Sequence, residues 1–431
     1  MRIGEGAGQG TGERSGVGGG PWPGHERGTP GYRRLVLALF TAGVATFAQL
    51  YSVQAVLPSL AADLRVSASH AALGVSVATG ALAVSVVGWS ALADRLGRVP
   101  AMVASAVLAT LLGLAVPLAP ELGTVLALRA LQGAALGGLP AVAVAHLAEE
   151  VHPREVAQAA GAYVSGTSLG GLSGRVLSSL VTDLAGWRWG VAAVALLGLA
   201  ATALFCLLVP PSRGGVRGPR PAGAGAAAGA AGAGLVRRVR AALGERGLLA
   251  LYAQALLLMG AFVTVYNYLG FRLLQPPFSL SQGVVGLLFV VYLAGTASSS
   301  LAGRLAAAGR LRVLLAASAL LAAGCLLTLA SSVLLVVAGL AALTAGFFAA
   351  HAVASGWVGA RAPAGARAQA SALYTFAYYV GSSLVGWIGG FAFVAGGWPL
   401  VVALVLVLTA LAAALAALAL RGPAPTGSMA R

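Results

Sequence analysis

Apolar residues form long runs along this chain, separated by short polar or charged stretches. A run of 23 residues, such as 35–57, reaches roughly 34 Å as a helix, more than the roughly 30 Å hydrocarbon core of a bilayer. Hydrocarbon offers no hydrogen-bond partners, so each run is predicted to be helical. The sequence predicts an all-α polytopic membrane protein with twelve spans, in the runs 35–57, 71–91, 100–118, 122–147, 157–181, 189–209, 247–271, 282–302, 312–330, 333–358, 369–394 and 399–420.

The basic residues predict the orientation of these spans. All 27 are arginine, and the net charge is +16. With a cytoplasmic N-terminus, 22 of them lie on the cytoplasmic side and only Arg65, Arg188 and Arg272 lie outside, while Arg129 and Arg175 fall within spans. This asymmetry predicts that both termini are cytoplasmic. Because the arginines occupy short loops, the positive charge does not indicate nucleic-acid binding.

Low-complexity stretches divide the chain into domains. Glycine-rich residues 1–33 are predicted to form a disordered cytoplasmic tail without a cleavable signal, and residues 210–246, rich in glycine, alanine and arginine, a flexible basic linker. Between and after them we expect two six-helix bundles, 34–209 and 247–421, followed by a cytoplasmic tail at 422–431.

The two predicted bundles share local sequence. Residues 92–98 after the second run read LADRLGR, and residues 301–305 after the eighth read LAGRL, an offset of 209. Residues 166–171 (GTSLGG) and 381–386 (GSSLVG) repeat at an offset of 215. Parallel repeats of this kind are typical of secondary transporters, which hold substrate near the membrane midplane between their halves. The repeat predicts pseudo-symmetry.

At these residues the chain resembles the major facilitator superfamily, over residues 33–421. The superfamily's loop signature, a small residue followed by Asp-Arg and Gly-Arg, matches residues 90–98, with Ser90 at the usual glycine. Its fourth-span signature, an arginine followed by Gln-Gly, matches residues 129–133. Its fifth-span antiporter signature has a proline, whereas Thr167 follows the glycine here, which weakens the antiporter inference.

Further stretches resemble a subgroup, the YnfM-type transporters, often grouped with drug and arabinose efflux permeases. They are residues 45–58, 170–175, 266–272, 346–351 and 369–379. The resemblance implies a monomeric, multi-pass protein of the bacterial cytoplasmic membrane. It implies export of small drug-like or sugar-like organic molecules by alternating access, as a proton-coupled antiporter without a cofactor.

Other functions remain open at this point. A uniporter or importer of small solutes is the first alternative, and a non-transporting membrane sensor is a remote one because it would not require the internal repeat. An enzyme is disfavoured, since the sequence has no Ser/His/Asp set, metal-ligand cluster or phosphate-binding loop.

Four residues of the loop after the second span are predicted to form a cytoplasmic gate: Asp94, Arg95, Gly97 and Arg98. A carboxylate in this loop can reach the positive end of a neighbouring helix, and in the resembling family such a contact holds the two halves shut. The alternative is that these charges only set topology.

Arginines at membrane depth predict function because burying them costs several kcal/mol unless they are paired or line a wet cavity. We expect Arg129, with Gln132 and Gly133, and Arg175 to take part in coupling or substrate binding, and a neutral or anionic substrate fits Arg129 better than a cation does. Satisfaction by backbone carbonyls is the alternative.

The second half contains one candidate residue for proton coupling. No carboxylate follows Glu245, and arginine stays protonated, so His351 is the candidate there. The alternative is that His351 is a hydrogen-bonded packing residue.

Amphipathic residues on otherwise apolar spans predict a substrate cavity. Those on the first, seventh and eleventh spans are Gln49, Tyr51, Gln54, Tyr266, Asn267, Tyr374 and Tyr378. Gly166, Gly170 and Gly171 are expected to allow close packing of the fifth span.

Overall fold

The computed structural model describes residues 23–212 and 224–421, most of them in helices. The predicted all-α polytopic fold is confirmed. In the described chain the spans are α1 (Pro30–Leu50, continued by Gln54–Val56 and Leu57–Asp63), α2 (Ala68–Leu96), α3 (Arg98–Ala115), α4 (Leu122–Leu136 and Gly138–Glu150), α5 (Val156–Ala185), α6 (Trp187–Leu208), α7 (Arg246–Leu273), α8 (282–308), α9 (310–327), α10 (Val333–Arg361), α11 (367–395) and α12 (398–419).

Nine stretches of the described residues are long and apolar enough to cross a membrane. Two of them, Gln282–Leu327 and Arg367–Ala419, each hold two spans, divided where the backbone leaves helical geometry. The first break is at Gly309 and the second at Gly396 and Gly397. Helix α5, which is 30 residues long and rich in hydroxyl side chains, completes the count of twelve spans in the described chain.

The last residues of the N-terminal tail, which the sequence predicts to be disordered, have defined structure. The amide of His25 donates to the Glu150 carbonyl (2.7 Å), and Thr29 caps α1, with Pro30 in its first turn. These contacts order residues 23–33, whereas the rest of the predicted tail, 1–22, lies outside the described residues.

The linker also differs from its prediction. A helix, Ala224–Gly244, occupies part of it, because alanine and arginine are strong helix formers. The other part, 213–223, and the predicted C-terminal tail lie outside the described residues.

Short connections make successive helices antiparallel. Gly97, with a φ of 94°, is the single residue between α2 and α3, and this left-handed conformation favours glycine. Helices α1, α3 and α5 therefore begin at the end of the bundle where α12 finishes. We call this the termini end, and the opposite one the distal end.

Helix packing places the two halves side by side. Helix α1 packs on α5 and α6, and α7 packs on α11 and α12. The halves meet where α2 contacts α11, where α5 contacts the start of α8, and where residues 54–63 contact α7.

Glycines allow the α1–α5 contact to be close. A Cβ atom added to Gly170 would lie 2.6 Å from the Val44 carbonyl oxygen, and one added to Gly174 would lie 2.5 Å from that of Ala48. Gly166 makes the same kind of contact with Phe40. The four-residue spacing on both helices puts these contacts on one face.

Candidate functional site

A cavity of about 430 Å³ lies between the two halves. Helices α1 and α5 line it from one half, and α7, α8, α10 and α11 from the other. Its lining residues include Phe47, Tyr51, Ser165, Thr167, Ser168, Gly171, Arg175, Met259, Phe262, Tyr292, Thr296, Phe348 and Tyr378. This volume lies within the range of sites for small organic ligands.

Arg175 is the charged residue of this lining, and only 3% of its surface is exposed. Its Nε donates to Gln54 Oε1 (2.7 Å) and its Nη1 to the Gly171 carbonyl (2.7 Å). The guanidinium carbon lies 4.0 Å from the ring centroid of Tyr51 and 4.8 Å from that of Tyr292. Cation–π attraction therefore holds the guanidinium at the distal end of the cavity.

Gln54 connects this arginine to the second half. Its Nε2 donates to Asn267 Oδ1 (2.8 Å), so a chain of hydrogen bonds runs from α5 through the helix break of α1 to α7. Gln54 and Asn267 are both buried, and they close the cavity floor.

Beyond that floor, hydrogen bonds seal the distal end. The side-chain Nε2 of Gln282 donates to the Ala55 carbonyl (2.6 Å) and to Ser179 Oγ (3.0 Å). The backbone N–H of Gln282 donates to Asp183 Oδ1 (3.0 Å). Ser179 Oγ also contacts the Gln282 carbonyl at 2.5 Å.

On the termini side of the cavity, no hydrogen bond between described residues joins the halves. There Val164 and Leu169, which line the cavity, are 55% and 50% exposed. The structure is thus closed at the distal end and open toward the termini end.

Arg129 lies in a different environment. It is fully buried within the first half, and it does not line the cavity. Its Nε donates to the Gly74 carbonyl (3.0 Å), its Nη1 to the Gln49 carbonyl (2.9 Å) and to Gln132 Oε1 (2.5 Å), and its Nη2 to the Leu50 carbonyl.

Gln132 and Gln49 complete this Arg129 cluster. Gln132 Nε2 donates to Gln49 Oε1 (3.2 Å), and Gln49 Nε2 donates to Thr110 Oγ1 (3.2 Å). Helix α1 ends at Leu50, and the cluster supplies side-chain donors to the Gln49 and Leu50 carbonyls at this helix break. This geometry favours the alternative role for Arg129, satisfaction by carbonyls. Gly133 packs against Ala78 and allows α4 to approach α2 closely.

His351 lies behind the cavity wall. Its Nδ1 and the Tyr374 hydroxyl are 3.0 Å apart. Its ring centroid lies 5.0 Å from that of Tyr378, which lines the cavity, and 6.0 Å from that of Phe347. The histidine therefore has one side-chain hydrogen-bond partner in the described chain and reaches the cavity through Tyr378.

The predicted gate residues are arranged differently from the expectation. Arg98 forms an ion pair with Glu149 at the end of α4, and both side chains are partly exposed. Asp94 and Arg95 are exposed, and Asp94 has no hydrogen bond to another described residue. The contact from Asp94 to a helix N-terminus is not present in this open state.

The predicted cavity residues divide into three groups. Tyr51 and Tyr378 line the cavity, while Gln54, Asn267 and Tyr266 lie at its floor. Gln49 belongs to the Arg129 cluster and Tyr374 to the contacts of His351.

Sequence reasoning missed several aromatic lining residues. Phe262 precedes Tyr266 by one helical turn, so helical spacing from that predicted polar aromatic could have identified it. Tyr292 has no such spacing to a predicted residue. Phe348 is adjacent to Phe347 and offered no such signal.

Comparison with known proteins supports this architecture. The model of the Major Facilitator Superfamily matches residues 39–278 and 271–430. The inner membrane transport protein YnfM of Escherichia coli (strain K12) is 41% identical over 374 residues, covering 86% of this chain and 87% of its own. The uncharacterized MFS-type transporter YybF of Bacillus subtilis (strain 168) is 37% identical over 365 residues, covering 84% and 88%.

Solved structures share the fold. A bacterial homologue of the human lysosomal transporter Spinster, in an inward-facing and unoccupied conformation, superposes with a TM-score of 0.74 at 15% identity, covering 91% of this chain and 97% of that one. A D-xylose–proton symporter gives a TM-score of 0.67 at 16% identity, covering 88% and 97%.

Proposed function

The chain belongs to the Major Facilitator Superfamily, a family of membrane transporters, and on this premise we propose that it exports small organic molecules by proton-coupled alternating access. The family match and the likeness to YnfM make it a multi-pass plasma membrane transporter of the YnfM type. The observation that carries the mechanism is the cavity between the halves, lined by residues of both and open at one end. A rocking motion of the halves would expose it alternately to the two sides.

The arginine distribution supports the proposed orientation, in which the termini end faces the cytoplasm. A site open to the cytoplasm suits the loading of an exported molecule. In this proposal Asp94 makes its helix contact in the opposite, outward-open state, where the termini end closes. We propose that the protein acts as a monomer, since the cavity is formed within one chain.

For proton coupling we propose His351. The described residues of the second half after Glu245 contain no carboxylate, and His351 contacts Tyr378 of the cavity lining. Protonation of His351 would place a positive charge next to the cavity. The fraction of protonated His351 would therefore change with substrate occupancy.

The test is transport by the purified protein in proteoliposomes, with an imposed pH gradient and a library of drug-like and sugar-like molecules. A molecule that moves against its own gradient, opposite to the proton flow and only when the pH gradient is present, supports antiport. Transport that ignores the pH gradient would instead indicate a uniporter, and accumulation in the direction of proton flow an importer.

His351→Gln keeps hydrogen bonding but cannot titrate, so we expect it to lose gradient-driven accumulation and retain downhill exchange. His70→Gln is the matched control, because His70 is exposed at the distal start of α2 and contacts Ser67. Wild-type accumulation in the His351 variant would move the coupling site to the first half.

A further inference from the structure

Arg175 has neutral partners in a cavity that is otherwise apolar or hydroxyl-bearing. We infer that this cavity binds a small organic anion, with its anionic group on Arg175 and an aromatic or apolar body against the surrounding rings. The inference deepens the proposed function by naming the substrate class, and it rests on that function only in treating the cavity as the substrate site.

Arg175 has no counter-ion among the described residues. Ion pairs among the described residues join Arg98 to Glu149, Arg188 to Asp63, and Arg361 to Glu245. Arg175 takes part in none of them, although it is 97% buried. A buried guanidinium without an opposite charge is costly, and an anionic ligand would remove much of that cost.

Arg175 also keeps N–H donors that no described residue accepts from. A guanidinium has five N–H groups, and Arg175 uses one on Gln54 and one on Gly171. Its Nη2 has no hydrogen-bond partner among the described residues, and the side chain lines the cavity. The remaining N–H groups match the paired oxygens of a carboxylate, which a guanidinium binds in a planar fork.

Aromatic rings surround the guanidinium of Arg175. The rings of Tyr51, Tyr292 and Phe289 lie 4.0, 4.8 and 5.3 Å from it and fix its position. Toward the open end, Phe262 and Phe348 extend the apolar lining. A flat apolar body attached to the anion would pack against these rings.

The lining also disfavours cations. Its residues include no aspartate or glutamate, and a cationic molecule would lie beside the charge of Arg175 with nothing to offset the repulsion. An aromatic monocarboxylate of one or two rings fits both the charge and the volume of about 430 Å³.

The experiment is calorimetric binding to the purified full-length protein in detergent at neutral pH, where carboxylic acids are ionised. The probes are benzoate, phenylacetate and naphthoate, each measured beside its primary amide, which keeps the shape and removes the charge. Charge-assisted hydrogen bonds predict that at least one acid binds about tenfold or more tightly than its amide.

Three variants assign this preference. Arg175→Gln should bring acid and amide to similar affinity, and Arg175→Lys should retain part of the preference. Arg188→Gln removes one exposed positive charge at the distal end and should leave the preference unchanged. Unaltered amide binding by Arg175→Gln shows that the cavity is intact; if this variant does not fold, the wild-type ratio and the lysine variant still decide.

The inference is overturned if no acid binds the wild-type protein more tightly than its amide, or if Arg175→Gln keeps the full preference. Equilibrium binding requires neither transport nor a proton gradient. A protein that binds these acids but ignores the pH gradient would therefore contradict the coupling and leave the anion site standing.

Discussion

Arg129 and Arg175 are both buried arginines of the first half, but the protein surrounds them differently. Arg129 donates to three backbone carbonyls and to Gln132, all within that half. Arg175 donates to one carbonyl and to Gln54, and its free donors meet the cavity. The same residue type closes a helix break in one place and forms an open binding site in the other.

The difference teaches how to interpret a charge at membrane depth. Burial shows that the charge needs partners, but it does not show whether those partners belong to the protein or to a ligand. Counting the donors that remain free after folding separates the two cases. Of the two arginines that the sequence predicts to take part in substrate binding or coupling, this criterion favours Arg175 for that role and a structural role for Arg129.

The largest expected effect comes from exchanging each arginine for lysine. Arg129→Lys cannot serve four acceptors and would deprive the buried Leu50 carbonyl and Gln132 Oε1 of their arginine donors, so we expect a loss of about 3 kcal/mol or more in the free energy of unfolding. Arg175→Lys should lose about 1 kcal/mol or less in the free energy of unfolding, because water in the cavity can solvate the polar groups that the lysine leaves without a partner. Thermal unfolding in detergent measures both variants.

The comparison between the arginines fails if the two lysine variants unfold at the same temperature. It also fails if Arg175→Lys is the less stable of the two. In either case Arg175 would contribute to the stability of the fold at least as much as Arg129 does.

A second, smaller effect separates the glutamines that accompany each arginine on α1. Gln49→Leu removes hydrogen bonds to Thr110 and Gln132 inside a buried cluster, and we expect a stability loss of about 1–2 kcal/mol. Gln54→Leu should cost less than half as much, since it borders the cavity, but it should slow transport more because it links Arg175 to Asn267. Unfolding and proteoliposome transport are measured in parallel.

Equal stability losses, or a greater transport defect for Gln49→Leu, would contradict this division. The two residues lie five positions apart on either side of one helix break, so they share sequence context and differ mainly in tertiary surroundings.

The smallest effect concerns the seal beyond the Arg175 cluster. Gln282→Ala removes hydrogen bonds to Ala55 and Ser179 and should destabilise the closed distal end by about 1 kcal/mol, which is about a fivefold shift toward a distal-open state. The Arg129 cluster lies inside one half, so its stability should not change. Gln275→Ala, an exposed glutamine nearby, is the control.

The measurement is the labelling rate of a cysteine introduced at Ser69, which packs against Gly390 at the distal interface. The native Cys206 and Cys325 are replaced first. Faster labelling in Gln282→Ala than in Gln275→Ala is expected. Identical rates would show that the hydrogen bonds of Gln282 do not hold the seal.

Much of the fold followed from hydropathy, because a chain that crosses lipid must be helical wherever it is apolar. The runs matched helices even where two spans were joined across Gly309 or Gly397. The departures lie outside the membrane, at residues 23–33 and in the helix Ala224–Gly244, where low-complexity composition predicted no structure but backbone pairing, capping and alanine content favoured it.

The site was predictable only in part. Tyr51, Tyr378 and Arg175 were identified from their polarity at membrane depth, and they line the cavity. Phe348 was missed, because a phenylalanine facing a cavity and one facing a packed interface look the same in sequence, whereas Phe262 could have been found from its one-turn spacing to Tyr266.

By itself, the sequence determined the number of spans, the helical class and the internal repeat. It also placed two arginines, Arg129 and Arg175, within spans, where their charges need partners. Each of these depends on local composition and length, which the bilayer converts directly into structure. Only the tertiary structure decided that α1 ends where Arg129 reaches its carbonyls, and that Arg175 faces a cavity between the halves. These outcomes depend on which helices meet and at what depth, and no single segment contains that information.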